Sequence, residues 1–312
     1  MITRILSASF AVASLVLSAA TPAVSGGIVE RDLKAPSPAL GKPLRYSLYK
    51  PAGEPAPGTR WPVLYLLHGG GPGEADWLDA GGLASTMDKA IAEGRMPPTI
   101  VVMPYAGNSW YVDNPDPQGE GLMETAITRD LVNAIDRSLP TAACRGGRAA
   151  AGLSMGGYGA LLFAFDKPHR FGFGVSLSGS LTQPIAPQMT GRLKRARTFY
   201  DGAFGTPFRV SRFNAANLFP KAPRLALLRE KPKIYINAGD RDPGGIVQGS
   251  TELHLALLRA GVDSKLTIVP GRHEWPLWRR ELGPALTWLG PQLDTTCGAA
   301  DGVAIVKSTT TQ

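Results

Sequence analysis

The chain has 312 residues, a formal net charge of +8, 44% hydrophobic residues and 19% charged residues. This is globular composition, which excludes a disordered or fibrous chain. With no internal repeat and no evident linker, the length reads as one large domain. The positive charge accompanies no nucleic-acid-binding motif, so nucleic acid is excluded as a partner. Its one local cluster, Arg192, Lys194, Arg195 and Arg197, reads as a solvated helix face, with an anionic-substrate or polyanion site as the alternative.

The first residues have the pattern of a cleaved signal peptide. Arg4 supplies a positive charge, Ile5 to Leu17 is an apolar and small-residue run, and Ala23-Val24-Ser25 offers a small-x-small cleavage site, with Ser18-Ala19-Ala20 as the alternative. The run is too short and too rich in Ser and Ala to span a bilayer. No Cys follows it, so no lipid anchor is implied, and no later stretch is long and apolar enough to cross a membrane. The expected organisation is a signal peptide over 1–25, a folded domain over 26–296 and a tail over 297–312. The protein is expected to be secreted or periplasmic, without a stable membrane anchor.

Beyond the leader, apolar runs of strand length alternate with helix-length segments. Ile28–Leu33 and Leu44–Tyr49 read as an edge hairpin. Val63–Leu67, Ile100–Met103, Arg148–Gly152, Phe173–Ser178, Lys233–Asn237 and Lys265–Val269 read as further strands. The continuous apolar runs among them suit central strands buried on both faces. Helices are predicted over Met123–Leu139, Gly157–Phe165, Gly249–Ala260 and Trp278–Leu289. Alternation of this kind gives an α/β fold with a mostly parallel central sheet and helices on both faces. The long basic segment over 181–229, dotted with Pro and Phe, interrupts the rhythm. It reads as a helical insertion over the sheet, and a connection of that length is usually functional. An oxidising compartment would permit a disulfide between Cys144, before one strand, and Cys297, after the last predicted helix.

Within that scheme Gly152-Leu-Ser-Met-Gly156 sits between a predicted strand and a predicted helix. A serine on such a turn has the placement of a nucleophile elbow. Glycines at 152 and 156 are expected to absorb strained or positive-φ backbone there. A serine nucleophile needs a base, and the base needs a carboxylate. Of the four histidines, His254 lies in a helical run, His169 follows Lys167-Pro168 in a turn, and His68 reads as a structural member of a Gly-rich loop. His273 lies just past the last predicted strand, in a loop at the C-terminal edge of the sheet, and is the expected general base. The carboxylate is expected at the end of the preceding strand, where Asp240 and Asp242 compete and spacing favours Asp242 only slightly. The N–H of Met155 and one from the loop His68-Gly-Gly-Gly71, assigned to Gly70, are placed to hold an oxyanion.

Several segments together resemble the esterase D, or putative esterase, family of α/β-hydrolases. They are Leu66-Leu-His-Gly69 followed by Trp77, Gly107-Asn-Ser-Trp-Tyr111, Glu124-Thr125, Ala151 to Ala160, and His273-Glu-Trp-Pro-Leu-Trp278. The resemblance spans about residues 27 to 293. It implies the α/β-hydrolase fold and a Ser154-Asp242-His273 triad, since the acidic member falls at the end of Gly239-Asp-Arg-Asp242. It also supports Gly70, where relatives often carry a larger apolar residue. Trp110 and Tyr111 are expected to line the substrate pocket, and Trp275 and Trp278 to pack behind the His273 loop. The implied activity is carboxylic ester hydrolysis through an acyl-enzyme, without metal or organic cofactor. Feruloyl, acetyl or short-chain esters, free or linked to polysaccharide, are the expected substrates. Acyl transfer of the mycolyltransferase type and a non-catalytic binding role are the alternatives.

Overall fold

The computed structural model describes residues 26–298 except Pro72, Pro187 and Asp201; the expected signal peptide and nearly all of the tail lie outside the described residues. In chain order the strands are β1 (Ile28–Ala35), β2 (Leu44–Lys50), β3 (Val63–Leu67), β4 (Ile100–Pro104), the short pair β5 (Asp113–Asn114) and β6 (Gly121–Leu122), β7 (Arg148–Leu153), β8 (Phe173–Leu177), β9 (Lys233–Arg241) and β10 (Ser264–Arg272). The helices are α1 (Asp76–Asp79), α2 (Leu83–Ala92), α3 (Met123–Thr125), α4 (Val132–Ser138), α5 (Met155–Asp166), α6 (Thr190–Phe199), α7 (Val210–Ala216), α8 (Leu218–Leu225), α9 (Ile246–Arg259) and α10 (Trp275–Leu289). Helices α3 and α4 are one run joined through a wider π-helical segment, Ala126–Leu131. All eight predicted strands and all four predicted helices are present. The sequence reading omitted α1, α2 and the β5–β6 pair.

Eight strands form the main sheet in the order β1-β2-β4-β3-β7-β8-β9-β10. The pairings β1–β2 and β2–β4 are antiparallel, and those from β4 through β10 are parallel. Every residue of β3, β4, β7 and β8 is buried. Alternate residues serve opposite cores: Tyr65 and Leu67 pack with α3, α4, α5, α8 and α9, while Leu64 and Leu66 pack with α2 and α10. Burial on both faces is why these strands are continuous apolar runs rather than alternating ones. This is an α/β-hydrolase architecture, and no helix among the described residues is long and apolar enough to cross a membrane.

Helices α6, α7 and α8 occupy the connection between β8 and β9, within the segment expected as an insertion. Cys144 and Cys297 are disulfide-bonded across a sequence separation of 153. The Asp294 N–H donates to the carbonyl of Gly146 beside the bond. The chain end is thereby fastened to the start of β7, at the opposite end of that strand from Ser154.

Candidate active site

Strand β7 ends at Leu153 and α5 begins at Met155, so a single residue, Ser154, turns the chain. Its backbone has φ +53° and ψ −116°, a conformation that costs roughly 1–3 kcal/mol and persists only where the surroundings over-determine it. They do so here. The Ser154 N–H donates to Leu177 O at 3.0 Å, and its carbonyl accepts from Tyr158 N–H at 3.1 Å and Ser180 N–H at 3.2 Å. The flanking glycines have a different task from the expected one. Neither Gly152 nor Gly156 has positive φ; the strain falls on the serine itself. A Cβ on Gly152 would lie 2.4 Å from Gly156 O, and one on Gly156 would lie 2.5 Å from the carbonyls of Leu67 and His68. The glycines allow β3, β7 and α5 to approach closely, which fixes the serine against the sheet edge.

The two other residues arrive on loops after β9 and β10. His273 Nε2 is 2.9 Å from Ser154 Oγ, and His273 Nδ1 is 2.9 Å from Asp242 Oδ1. The second oxygen of Asp242 accepts the Gly239 N–H at 2.7 Å. The Asp242 side chain is 0% exposed while that of His273 is 23% exposed. The carboxylate is therefore held out of water, and the imidazole reaches from it towards the solvent side. Asp240 points elsewhere: it is exposed and accepts the Gly271 N–H at 2.9 Å, which holds its carboxyl below the usual carboxylate range. Of the two aspartates, it is Asp242 that contacts His273.

Behind the imidazole stands a stack of tryptophans. The His273 ring meets Trp278 edge-on at 4.9 Å, Trp278 meets Trp275 at 5.3 Å, and Trp275 meets Trp77 at 5.4 Å. Trp77 Nε1 donates to Leu67 O at 2.9 Å, which ties the stack to the end of β3. Edge-to-face pairs of this kind are favoured by the ring quadrupoles. They leave the imidazole little freedom to leave the serine.

Gly70, Ser154, Met155 and His273 share the wall of a cavity of about 1270 Å³. Among the described residues no acceptor meets the N–H of Gly70 or of Met155. A Cβ at Gly70 would meet nothing within 4 Å, so the larger residue of its relatives would project into open space. The loop bearing Gly70 is anchored by His68. Its Nδ1–H donates to Gly69 O at 2.7 Å and its Nε2 accepts the Ala106 N–H at 3.0 Å. Those partners define a neutral tautomer, and burial pushes the imidazole below its ordinary value.

Trp110 is in the cavity wall, packed edge-on against Tyr200 at 4.5 Å. Tyr111 is not, contrary to the sequence expectation. It is 0% exposed, its ring fills the space left by the missing side chain of Gly159, and its hydroxyl donates to His68 O at 2.9 Å. Both residues have positive φ, +55° and +59°. The tight turn sends Trp110 towards the cavity and Tyr111 into the core beneath the His68 loop. Sequence reasoning missed most of the remaining wall, Leu181, Ile185, Phe199, Tyr200 and Phe213, while Lys194 and Arg195, singled out as a cation cluster with two readings, also stand in it. These come from α6, α7 and the preceding loop, where no short motif announces them.

A sequence profile described as "Putative esterase" matches residues 37–289. The chain belongs to the putative esterase family, a family of carboxylic ester hydrolases. An endo-1,4-beta-xylanase/feruloyl esterase of Xylanibacter ruminicola is 37% identical over 126 residues, 40% of this chain; the match spans 17% of that much longer protein. An acetyl esterase of Caldicellulosiruptor saccharolyticus is 27% identical over 242 residues, covering 74% of this chain and 84% of its relative. Among solved structures, a ferulic acid esterase superposes with a TM-score of 0.69 at 23% identity, over 86% of this chain and 99% of its own. That likeness is one of fold.

Proposed function

We propose that the chain is an exported serine carboxylesterase. The observation that carries the reading is the unbroken relay from Asp242 through His273 to Ser154, opening on the cavity. Ser154 Oγ attacks the ester carbonyl as His273 Nε2 takes its proton. Asp242, already bonded to Nδ1, orients the ring and stabilises the imidazolium. The Met155 and Gly70 N–H groups take the oxyanion, a contribution worth roughly 10²–10³ in rate for a single donor. His273 then returns the proton to the leaving alcohol. In the second half-reaction it activates a water that releases the acid.

Export rests on the sequence pattern of residues 1–25, and the disulfide fits an oxidising compartment. The substrates proposed are feruloyl, acetyl or short-chain esters, free or attached to polysaccharide. Two relatives are named for the first two chemistries, and the aromatic wall around Trp110 suits a planar or apolar acyl group. The test is hydrolysis of 4-nitrophenyl acetate with fluorophosphonate labelling. Ser154→Ala is expected to lose labelling and about 10⁴–10⁶ of kcat/KM, with an unchanged melting curve. Wild-type turnover by that variant would overturn the reading.

A further inference from the structure

The cation cluster on α6 faces the same cavity as the candidate nucleophile. Lys194 and Arg195 are exposed, yet both belong to the wall that holds Ser154 and His273. The sequence Thr-Gly-Arg-Leu-Lys-Arg-Ala-Arg-Thr-Phe contains no acidic residue. Among the described residues no carboxylate pairs with Lys194, Arg195 or Arg197. Neighbouring like charges on one helix repel, and a face kept only for solubility is better served by interleaved signs. The carboxylate in the same wall, Glu252, accepts hydrogen bonds from Gln183 at 2.8 Å and Gln248 at 2.7 Å. The wall thus carries two cations, Lys194 and Arg195, against one carboxylate, beside an apolar part around Trp110.

Behind Trp110 the wall closes on a recess of about 10 Å³ between Trp110, Tyr158, Tyr200 and Phe213, too small for an acyl group, so both halves of an ester must lie in the larger cavity. Any ester portion that continues into a larger molecule must reach solvent from that cavity, to whose wall α6 contributes the exposed Lys194 and Arg195. We infer that Lys194 and Arg195 select esters that carry a carboxylate away from the reacting carbonyl, as an ester on an acidic sugar does. A surplus of one sign of charge in a cleft also concentrates ligands of the opposite sign. This inference rests on the esterase reading and deepens it.

The test compares 4-acetoxybenzoate with its methyl ester, which share the acyl group and differ in charge on the alcohol side. The readout is the ratio of their kcat/KM values, in which each compound's intrinsic reactivity cancels between variants. In Lys194→Glu/Arg195→Glu the acid-to-neutral ratio is expected to fall about tenfold or more, as two partly exposed charge pairs are inverted. In Lys34→Glu/Lys42→Glu, which makes the same change in net charge on exposed residues outside the cavity, the ratio is expected to stay within about twofold. Lys194→Gln/Arg195→Gln should fall between them and serves if the reversal does not fold. An equal ratio in all variants would overturn the inference and leave the esterase reading standing. If neither ester is hydrolysed and Ser154 takes no fluorophosphonate, the esterase reading fails instead. Calorimetric binding of 4-hydroxybenzoate then decides the anion site: weakening in the double reversal supports it, and unchanged or absent binding overturns it.

Discussion

Ser154, His273 and Asp242 are each held by the sheet edge, whereas Lys194 and Arg195 stand exposed on α6 and Phe199 rests on ring contacts with Trp110 and Tyr200. Three backbone hydrogen bonds pin Ser154, two contacts fix Asp242, and a stack of tryptophans backs His273. On α6 the side chains of Lys194, Arg195 and Phe199 that reach the cavity are exposed, Phe199 by 57%, while Ala196 beside them is buried. Bond-making tolerates errors of only a fraction of an ångström, so its groups belong on rigid elements. Recognition of a variable alcohol or acyl group tolerates adjustment, so its groups can sit on an insertion. Substitutions at the edge should therefore change kcat, and those on α6 should change preference.

The largest effect that would sharpen this contrast is at the carboxylate. Asp242→Asn keeps an oxygen for the Gly239 N–H but presents the wrong partner to His273 Nδ1. It is expected to lower kcat/KM by about 10⁴. Asp240→Asn, two residues away and exposed, should stay within about threefold. Equal losses, measured on 4-nitrophenyl acetate, would mean that contact with the imidazole is not what separates them.

The disulfide tests whether the fold and the site can be uncoupled. Cys144→Ser/Cys297→Ser opens a closure of 153 residues and is expected to cost about 2–5 kcal/mol in denaturant unfolding. The bond lies at the far end of β7 from Ser154, so kcat/KM at 25 °C should hold. A parallel loss of activity would show that the lower edge of the sheet positions the upper one.

His68 gives the pH-dependent form of the same comparison, with a cost of about 1–3 kcal/mol for removing its bonds. Its folded-state affinity for protons is lowered by burial from the ordinary value of 6.5. The unfolded chain therefore binds a proton that the native state refuses. The stabilisation is complete above about pH 6.5 and declines as pH falls towards the lower folded value. His68→Asn should be less stable near neutrality and show a flatter stability profile below pH 6.5. A slope identical to wild type would place the acid sensitivity elsewhere.

What could be read from the sequence follows the same division. The strands and the order Ser, Asp, His are set by local patterns: apolar runs, a Gly-flanked serine, and residues just past strand ends. Tyr111 was misplaced because the positive φ at Trp110 and Tyr111 comes from a tertiary fit: the tyrosine takes the space beside Gly159 and bonds to His68 O. The glycines of the elbow were found for an inexact reason, since their close approach to β3 is non-local. The Trp77–Trp275–Trp278 stack joins residues about 200 positions apart. The α6 cations carried two readings in sequence, and only the packing of the insertion puts Lys194 and Arg195 on the cavity wall.

The smallest expected effect is at Phe199, whose ring lies 5.2 Å from Trp110 and 5.0 Å from Tyr200. Because it is more than half exposed, Phe199→Ala should change folding stability by no more than about 0.5 kcal/mol. Its ring stands in the cavity wall, where a contact with an aromatic acyl group would be of the kind worth about 0.5–1.5 kcal/mol. The variant should therefore raise KM for an aromatic acyl ester by roughly twofold to tenfold. An acetyl group is too short to span the aromatic wall, so kcat and KM for acetyl esters should be unmoved. A fall in kcat on the acetyl ester would break the division between edge and insertion, because α6 would then be shaping the reacting groups and not only the space around them.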